Sequence, residues 1–136
     1  MGTSRFALPF EVRDYECDLQ GIVNNAVYQQ YLEHARHQFI KSRGLDFAEL
    51  TARGIHLVVV RAEIDYKAPL RSGDNFVVGL TIERLSPVRF EFHQDIHRMR
   101  DKQLILNAKV ICAAMDQHGK PMFLKAVDAL FSDGAG

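Results

Sequence analysis

The sequence predicts an α+β fold in which one long central helix is wrapped by a curved, five-stranded antiparallel sheet. Two observations carry this. A helical repeat of apolar residues runs from about Asn24 to Arg43, and four long stretches that alternate apolar and polar residues follow it. A chain of 136 residues is long enough for one domain and short for two. The expectation is a single domain over residues 1–136 with an ordered core at about 5–131.

Residues Phe6 to Arg13 mix apolar and charged positions without a helical period, and the second half reads as a strand leading into a polar turn, Tyr15 to Gly21. Asn24 or Asn25 suits the N-cap, because its side-chain oxygen can accept a backbone N–H of the first turn. Tyr28, Leu32, Ala35 and Phe39 then recur at steps of four, three and four, with Tyr31 beside them. Gln29, Gln30, Glu33, Arg36, His37 and Lys41 fill the opposite face. Gly44 can take the left-handed closing conformation. A helix of about 19 residues would be roughly 28 Å long, enough to cross a sheet. Asp46, with Glu49 three residues on, caps a second, short helix that stops at Gly54.

Strands are expected at Ile55 to Tyr66, Asn75 to Leu85, Arg89 to Arg98 and Leu104 to Asp116. The turns between them hold Pro69 and Ser72-Gly73-Asp74, then Ser86-Pro87, then Arg100-Asp101-Lys102, each short enough to join neighbours, so the four strands read as a meander. Alternation gives each an apolar face: His56, Val58, Val60, Ala62, Ile64 and Tyr66; Phe76, Val78, Leu80 and Ile82; Phe90, Phe92 and Ile96; Leu104, Leu106, Ala108, Val110 and Cys112. The second face also carries apolar residues, among them Leu57, Val59, Val77, Ile105, Ile111 and Met115. One helix cannot bury both faces, so partner subunits are expected. Lys120-Pro121 breaks the last strand, Ala126 to Phe131 reads as a terminal strand or turn of helix, and Ser132 to Gly136 should be disordered.

Seventeen basic residues balance seventeen acidic ones with no Lys/Arg block, so nothing in the composition argues for nucleic acid or an anionic membrane surface. The longest apolar run is far below membrane-spanning length. Cys17 and Cys112 give neither metal spacing nor a disulfide framework, which makes a reducing, cytoplasmic compartment the simplest expectation. The N-terminus lacks an apolar signal core, and Phe6 stands where a myristoylation motif wants Ser or Thr.

The chemistry concentrates in Asp18-Leu19-Gln20-Gly21-Ile22-Val23-Asn24-Asn25, a tight turn carrying a lone acid that runs into the long helix. The first N–H groups of a helix have no intrahelical partner, and the helix dipole adds partial positive charge there. An acid beside such donors suits acyl chemistry: one group attacks or activates water while the others hold a carbonyl oxygen.

These residues resemble the hotdog fold, and in particular the 4-hydroxybenzoyl-CoA thioesterase-like family, over about Val12 to Phe131. The matching pattern is Tyr15, Asp18, Gly21, Ile22, Val23, Tyr28, Glu33 and Arg36, followed by Tyr66, Pro69 and Gly73-Asp74. Val12-Arg13-Asp14-Tyr15-Glu16, Asn24-Asn25-Ala26-Val27-Tyr28, and then His34, Arg36 and His37 are similar to the plant acyl-lipid thioesterases and their bacterial relatives. The resemblance implies hydrolysis of fatty or other acyl thioesters carried on acyl carrier protein or CoA. It makes Asp18 the catalytic carboxylate and sets the Asn25 backbone N–H against the thioester oxygen. Tyr15, Gly21, Val23, Asn24 and Tyr28 become candidates for holding the substrate. Arg71, Arg84, Arg89 and Arg98 lie near strand ends and could grip the phosphates of CoA or the acidic surface of a carrier protein, with Arg89 the candidate taken forward. It further implies a homodimer, often paired into a tetramer, with the site at a subunit interface. No cofactor or metal is needed for this chemistry. Many small-acyl bacterial members carry His where this chain has Asn25, and Asn cannot trade protons as imidazole does.

Simpler roles compete for several of these residues. Asp18 could be a loop acid that favours the coming helix electrostatically. Asp14 and Glu16 could be solvated turn acids, and Tyr15 could pack or could line the acyl pocket. Glu91, His93, Asp95 and His97 share one strand face and could build a metal site, although a solvated polar face explains them more simply. Tyr28, Tyr31, Ala35, Ala108 and Ala114 could wall an acyl slot or merely fill the core. The alternative function is a non-catalytic acyl-thioester binding or sensing module. A hotdog dehydratase would need a catalytic His at the helix start, which the motif lacks.

Overall fold

A computed structural model describes residues 5–131, so the disorder expected of Ser132 to Gly136 lies outside the described residues. The chain forms β1 (Phe6–Glu11), α1 (Asn25–Ser42), α2 (Phe47–Ala52), β2 (His56–Tyr66), β3 (Asn75–Arg84), β4 (Arg89–Arg98) and β5 (Leu104–Met115), with 3-10 turns at Asp14–Glu16 and Lys125–Phe131. The expected helix across a five-stranded antiparallel sheet is what forms. The first strand is longer than expected: all of Phe6–Glu11 pairs with β3, its inward Phe6, Leu8 and Phe10 alternating with exposed neighbours.

α1 begins where Asn24 Oδ1 accepts the Ala26 N–H at 2.9 Å, and α2 begins where Asp46 Oδ1 accepts Ala48 N–H at 2.9 Å. The helical repeat turns Tyr28, Tyr31, Leu32, Ala35 and Phe39 into the sheet. There they meet the inward rows of β3 and β4, Phe76, Val78, Leu80, Phe90, Phe92 and Ile96, all buried. Aromatic rings form much of this contact. Phe10 stacks on Phe76 with centroids 5.2 Å apart, Tyr31 leans on Phe76 at 4.8 Å, and Phe39 meets Phe92 edge-on at 6.0 Å. Burying each such ring contributes about 1.5–3 kcal/mol.

Three expectations need correction. The strands β2 to β5 do not form one meander: the order is β1-β3-β4-β5-β2, so β2 pairs with β5 at the far edge and only β3, β4 and β5 are sequential neighbours. The segment after β2 is held elsewhere. Lys67 and Ala68 N–H groups donate to Ile105 O at 2.8 and 3.1 Å, Val23 N–H donates to Leu70 O at 2.9 Å, and Leu70 N–H donates to the buried Tyr28 Oη at 3.0 Å. Loop composition marks a turn but cannot say that its backbone bonds to the helix start.

The apolar face of β2 also changes phase. Pairing skips a residue between Val59 and Arg61, so Val59 opposes Cys112 and Ala62 opposes Val110. One extra residue in a strand flips every side chain beyond it. Leu57 and Val59 therefore share the inner face with Ala62, Ile64 and Tyr66, while His56, Val58 and Val60 do not. The third correction is Arg36, expected on the polar face of α1 and yet only 8% exposed. It reaches down to Gln94, the inward polar residue of β4: Arg36 donates to Gln94 Oε1 at 3.0 Å, and Gln94 Nε2 donates to Leu32 O at 3.0 Å. Buried polar groups need partners, and these two supply each other.

Candidate active site

The polar turn folds into a small ladder ahead of α1. Asn24 N–H donates to Glu16 O at 3.1 Å, Cys17 bridges Val23, and Asp18 N–H donates to Ile22 O at 2.8 Å. This places Asp18 about two residue rises, roughly 7 Å, along the ladder from the helix start. Gly21 closes the turn with φ of 79°, a left-handed value that disfavours any side chain. The next connection completes the frame, since Ile22 bridges Arg71 and brings that cation beside the turn.

Within this frame Asp18 is half-buried. Its Oδ1 accepts Gln20 N–H at 2.9 Å and Ile22 N–H at 3.4 Å. The Gln20 side-chain amide lies 3.2 Å from Oδ2, and both of its ends find partners only with the nitrogen turned toward the carboxylate. Gln20 is the neighbour that the sequence does not single out; an amide two residues after an acid in a tight turn is the signal for it.

The donors of the first turn can be followed one by one. Ala26 N–H goes to Asn24 Oδ1 and Val27 N–H to Asn24 O, both at 2.9 Å. Asn25 N–H has no acceptor among the described residues. The Asn24 cap thus satisfies the two amides that follow Asn25, Glu16 O takes the one before it, and the Asn25 N–H keeps no protein acceptor among the described residues.

The competing acids have structural partners. Glu16 Oε1 accepts both Arg13 N–H at 2.9 Å and Tyr31 Oη–H at 2.7 Å, and burial followed by this bond pushes the Tyr31 phenol well above its usual pKa. Asp14 accepts the Ser72 hydroxyl. Of the substrate-holding candidates, Gly21, Val23, Asn24 and Tyr28 surround the turn and helix start. Val23 and Tyr28 are buried there as packing and hydrogen-bonding residues. Tyr15 is 77% exposed, its Oη bonded to Arg13 at 3.0 Å, so within one chain it neither packs nor lines a cavity. Arg89 opens β4 opposite Ala113, at the end of the sheet away from Asp18, and one chain does not bring the two together.

Two apolar hollows lie between α1 and β2. One of about 210 Å³ is bounded by Leu32, Val59, Ala62, Ile64 and Val110, and one of about 330 Å³ by Ile40, Phe47, Leu57, Phe90, Phe92 and Cys112. Glu33, Arg36 and Val59 border both. The residues expected to wall an acyl slot, Tyr28, Tyr31, Ala35, Ala108 and Ala114, are instead packed in the core and border neither hollow. The long edge strand β2 leaves Val59 and Tyr66 nearly half exposed beside these hollows.

Residues 12–130 match the family model of the thioesterase-like superfamily. A chloroplastic acyl-acyl carrier protein thioesterase of Arabidopsis thaliana is 38% identical over 122 residues, covering 89% of this chain and 64% of the relative. A second such Arabidopsis thaliana protein is 40% identical over 114 residues, covering 84% of this chain and 61% of the relative. The chain therefore spans a little over three fifths of the length of these relatives. Among solved structures, a 1,4-dihydroxy-2-naphthoyl-CoA thioesterase from Synechocystis superposes with a TM-score of 0.88 at 25% identity, covering 93% of this chain and 95% of that one. A hypothetical protein from Aquifex aeolicus superposes with a TM-score of 0.85 at 30% identity, covering 93% of this chain and 99% of that one.

Proposed function

The chain belongs to the thioesterase-like superfamily, with the hotdog architecture, and on that footing we propose that it hydrolyses an acyl thioester carried on CoA or acyl carrier protein to free acid and thiol. The observation that carries the reading is the Asn25 amide, left without an acceptor on the same short frame that holds the Asp18 carboxylate. A thioester oxygen taking that empty place would be polarised by the amide and by the helix dipole behind it. Asp18 then works on the carbonyl carbon, directly to give a mixed anhydride or through a water that it deprotonates. In the first route the thiol leaves as the anhydride forms and a water then hydrolyses the anhydride to release the acid and restore Asp18; in the second the thiol leaves as the water adduct collapses, and both use the same placement of acid and donor. The likeness to the Arabidopsis thaliana relatives supports acyl carrier protein as carrier, and the likeness to the Synechocystis structure supports CoA.

The working unit in this proposal is a homodimer of single-domain chains, paired into a tetramer, in a reducing, cytoplasmic compartment. An 11-residue edge strand with exposed Val59, Val60 and Tyr66 offers unpaired backbone to a second copy, whereas the other edge, β1, has six residues and is interrupted by Pro9. A second β2 laid against the first would close the hollows along α1 and give the acyl chain a slot. The test is thiol release from a length series of acyl-CoA and acyl carrier protein thioesters. Turnover with a length optimum is the expected result. Tight binding without thiol release would favour the acyl-binding module instead.

A further inference from the structure

The outward face of the sheet, opposite α1, carries a cluster that hydrolysis does not use. Alternation turns Glu91, His93, Asp95 and His97 of β4 outward, next to Thr81 and Glu83 of β3. Asp95 has its own cations: Arg5 pairs with it, and His97 Nδ1 lies 3.4 Å from the same oxygen. Glu83 and Glu91 have none from Lys or Arg among the described residues; the basic group near both is His93. The register sets Glu83 directly across from Glu91, and like charges so placed destabilise a sheet.

His93 is the unusual member. Its Nε2 lies 2.9 Å from Glu91 Oε1 and 3.3 Å from Glu83 Oε1. That nitrogen is sealed from solvent, yet it makes no hydrogen bond. A covered ring nitrogen without a partner is costly. If its lone pair faces the carboxylates, three electron-rich groups converge with nothing positive between them.

The three ligand atoms lie within 4.8 Å of one another. Tetrahedral coordination with bonds of about 2.0–2.2 Å sets ligand atoms about 3.3–3.6 Å apart. The Glu83 separation already fits, and Glu91 needs to withdraw by only a few tenths of an ångström. Two carboxylates neutralise a dication, and an imidazole favours a first-row transition metal or zinc over magnesium and calcium, which prefer all-oxygen sites. Lys109 of β5 stands opposite His93 in the register and, on its other side, opposite Glu63 of β2, whose carboxylate is ion-paired with Arg61. The side chain of Glu83 is 63% exposed, which gives a hydrated ion a way in.

We propose that Glu83, Glu91 and His93 bind one Zn²⁺ ion on the outward face, with water completing its coordination. The ion clamps β3 to β4 beside their hairpin, at the end of the sheet remote from Asp18, and its role is to stabilise the fold. Calorimetric titration of the chelator-treated full chain with zinc chloride should give one ion per chain and a raised Tm, while magnesium at the same concentration gives neither. His93→Ala and Glu83→Gln should each weaken zinc binding by at least about tenfold, and Asp18→Asn should leave it unchanged. Because Glu83 is exposed, its variant should keep the wild-type circular dichroism spectrum. Absence of zinc binding by the wild-type chain overturns the proposal. So does equal binding by both variants, which would place the ion on another histidine.

Discussion

The two ends of α1 are finished in opposite ways. At the C-terminal end Arg43 N–H donates to both Phe39 O and Ile40 O, Gly44 N–H donates to Lys41 O, and Gly44 turns the chain with φ of 88°. At the N-terminal end the Asn24 cap satisfies its neighbours and leaves Asn25 N–H without an acceptor, with a half-buried acid on the turn just before it. One end is closed by its own backbone, which is what stability asks. The other keeps a donor free at an exposed tip, as the first turn of a helix does, and that donor is what the proposed thioester oxygen would take.

The sharpest way to break this contrast is Asp18→Asn. It keeps shape and much of the hydrogen bonding of the turn, yet should lower kcat for thioester hydrolysis by at least about a hundredfold, about 2.7 kcal/mol in the barrier, with Tm little changed. Wild-type turnover from the folded variant would remove the acid from the mechanism. Next comes Tyr28→Phe, which strips the acceptor from Leu70 N–H and should cost about 1–3 kcal/mol in urea unfolding. The loss should also loosen the 67–74 connection that braces the turn, so a fall in activity alongside stability is expected. A variant as stable as the parent would mean that the connection is held without this bond.

The closed end offers the contrasting case. Gly44→Ala meets no neighbouring atom, so its cost is that of the left-handed backbone alone, about 1–2 kcal/mol, with kcat unaffected. A drop in kcat would show that the two ends are not independent.

The two cysteines extend the comparison. Burial pushes the Cys112 thiol up to about 11, while Cys17 sits half-buried in the ladder before α1. A raised thiol pKa holds the neutral form in the fold. Its contribution is complete below the unfolded range near about 8.5 and is lost as pH climbs toward the folded value. Iodoacetamide at pH 8 should therefore modify Cys17 first, and Cys112 only on unfolding, as read by peptide mass spectrometry. The smallest effect belongs to Asn25→Ala. If its role is played through backbone, activity should stay within a few-fold of wild type, and a large loss would assign the work to the side-chain amide.

Much of this was legible in the sequence because local rules produced it. Tyr28, Leu32, Ala35 and Phe39 announce the buried stripe of α1, Asp46 and Glu49 announce α2, and period-two alternation in β3 and β4 names their inward rows. The acid before the helix start is visible for the same reason. What failed depends on partners far away in the chain. The place of β2 beside β5 follows from Leu70 meeting Tyr28 and Val23, and the burial of Arg36 follows from Gln94 on a distant strand. The skipped residue near Val60 breaks alternation within one strand and carries no Gly or Pro to mark it. Arg89 reads in the sequence as a cation near a strand end, but which end of the sheet it occupies is set by topology.

The central claim is that the Asn25 amide receives the thioester oxygen while Asp18 faces the carbonyl carbon. A crystal structure with a non-hydrolysable acyl-CoA analogue tests it most directly. The expected result is the analogue's carbonyl oxygen at about 2.7–3.1 Å from Asn25 N, with an Asp18 oxygen on the open side of the same carbonyl. A carbonyl bound in a cleft that touches neither residue would contradict it.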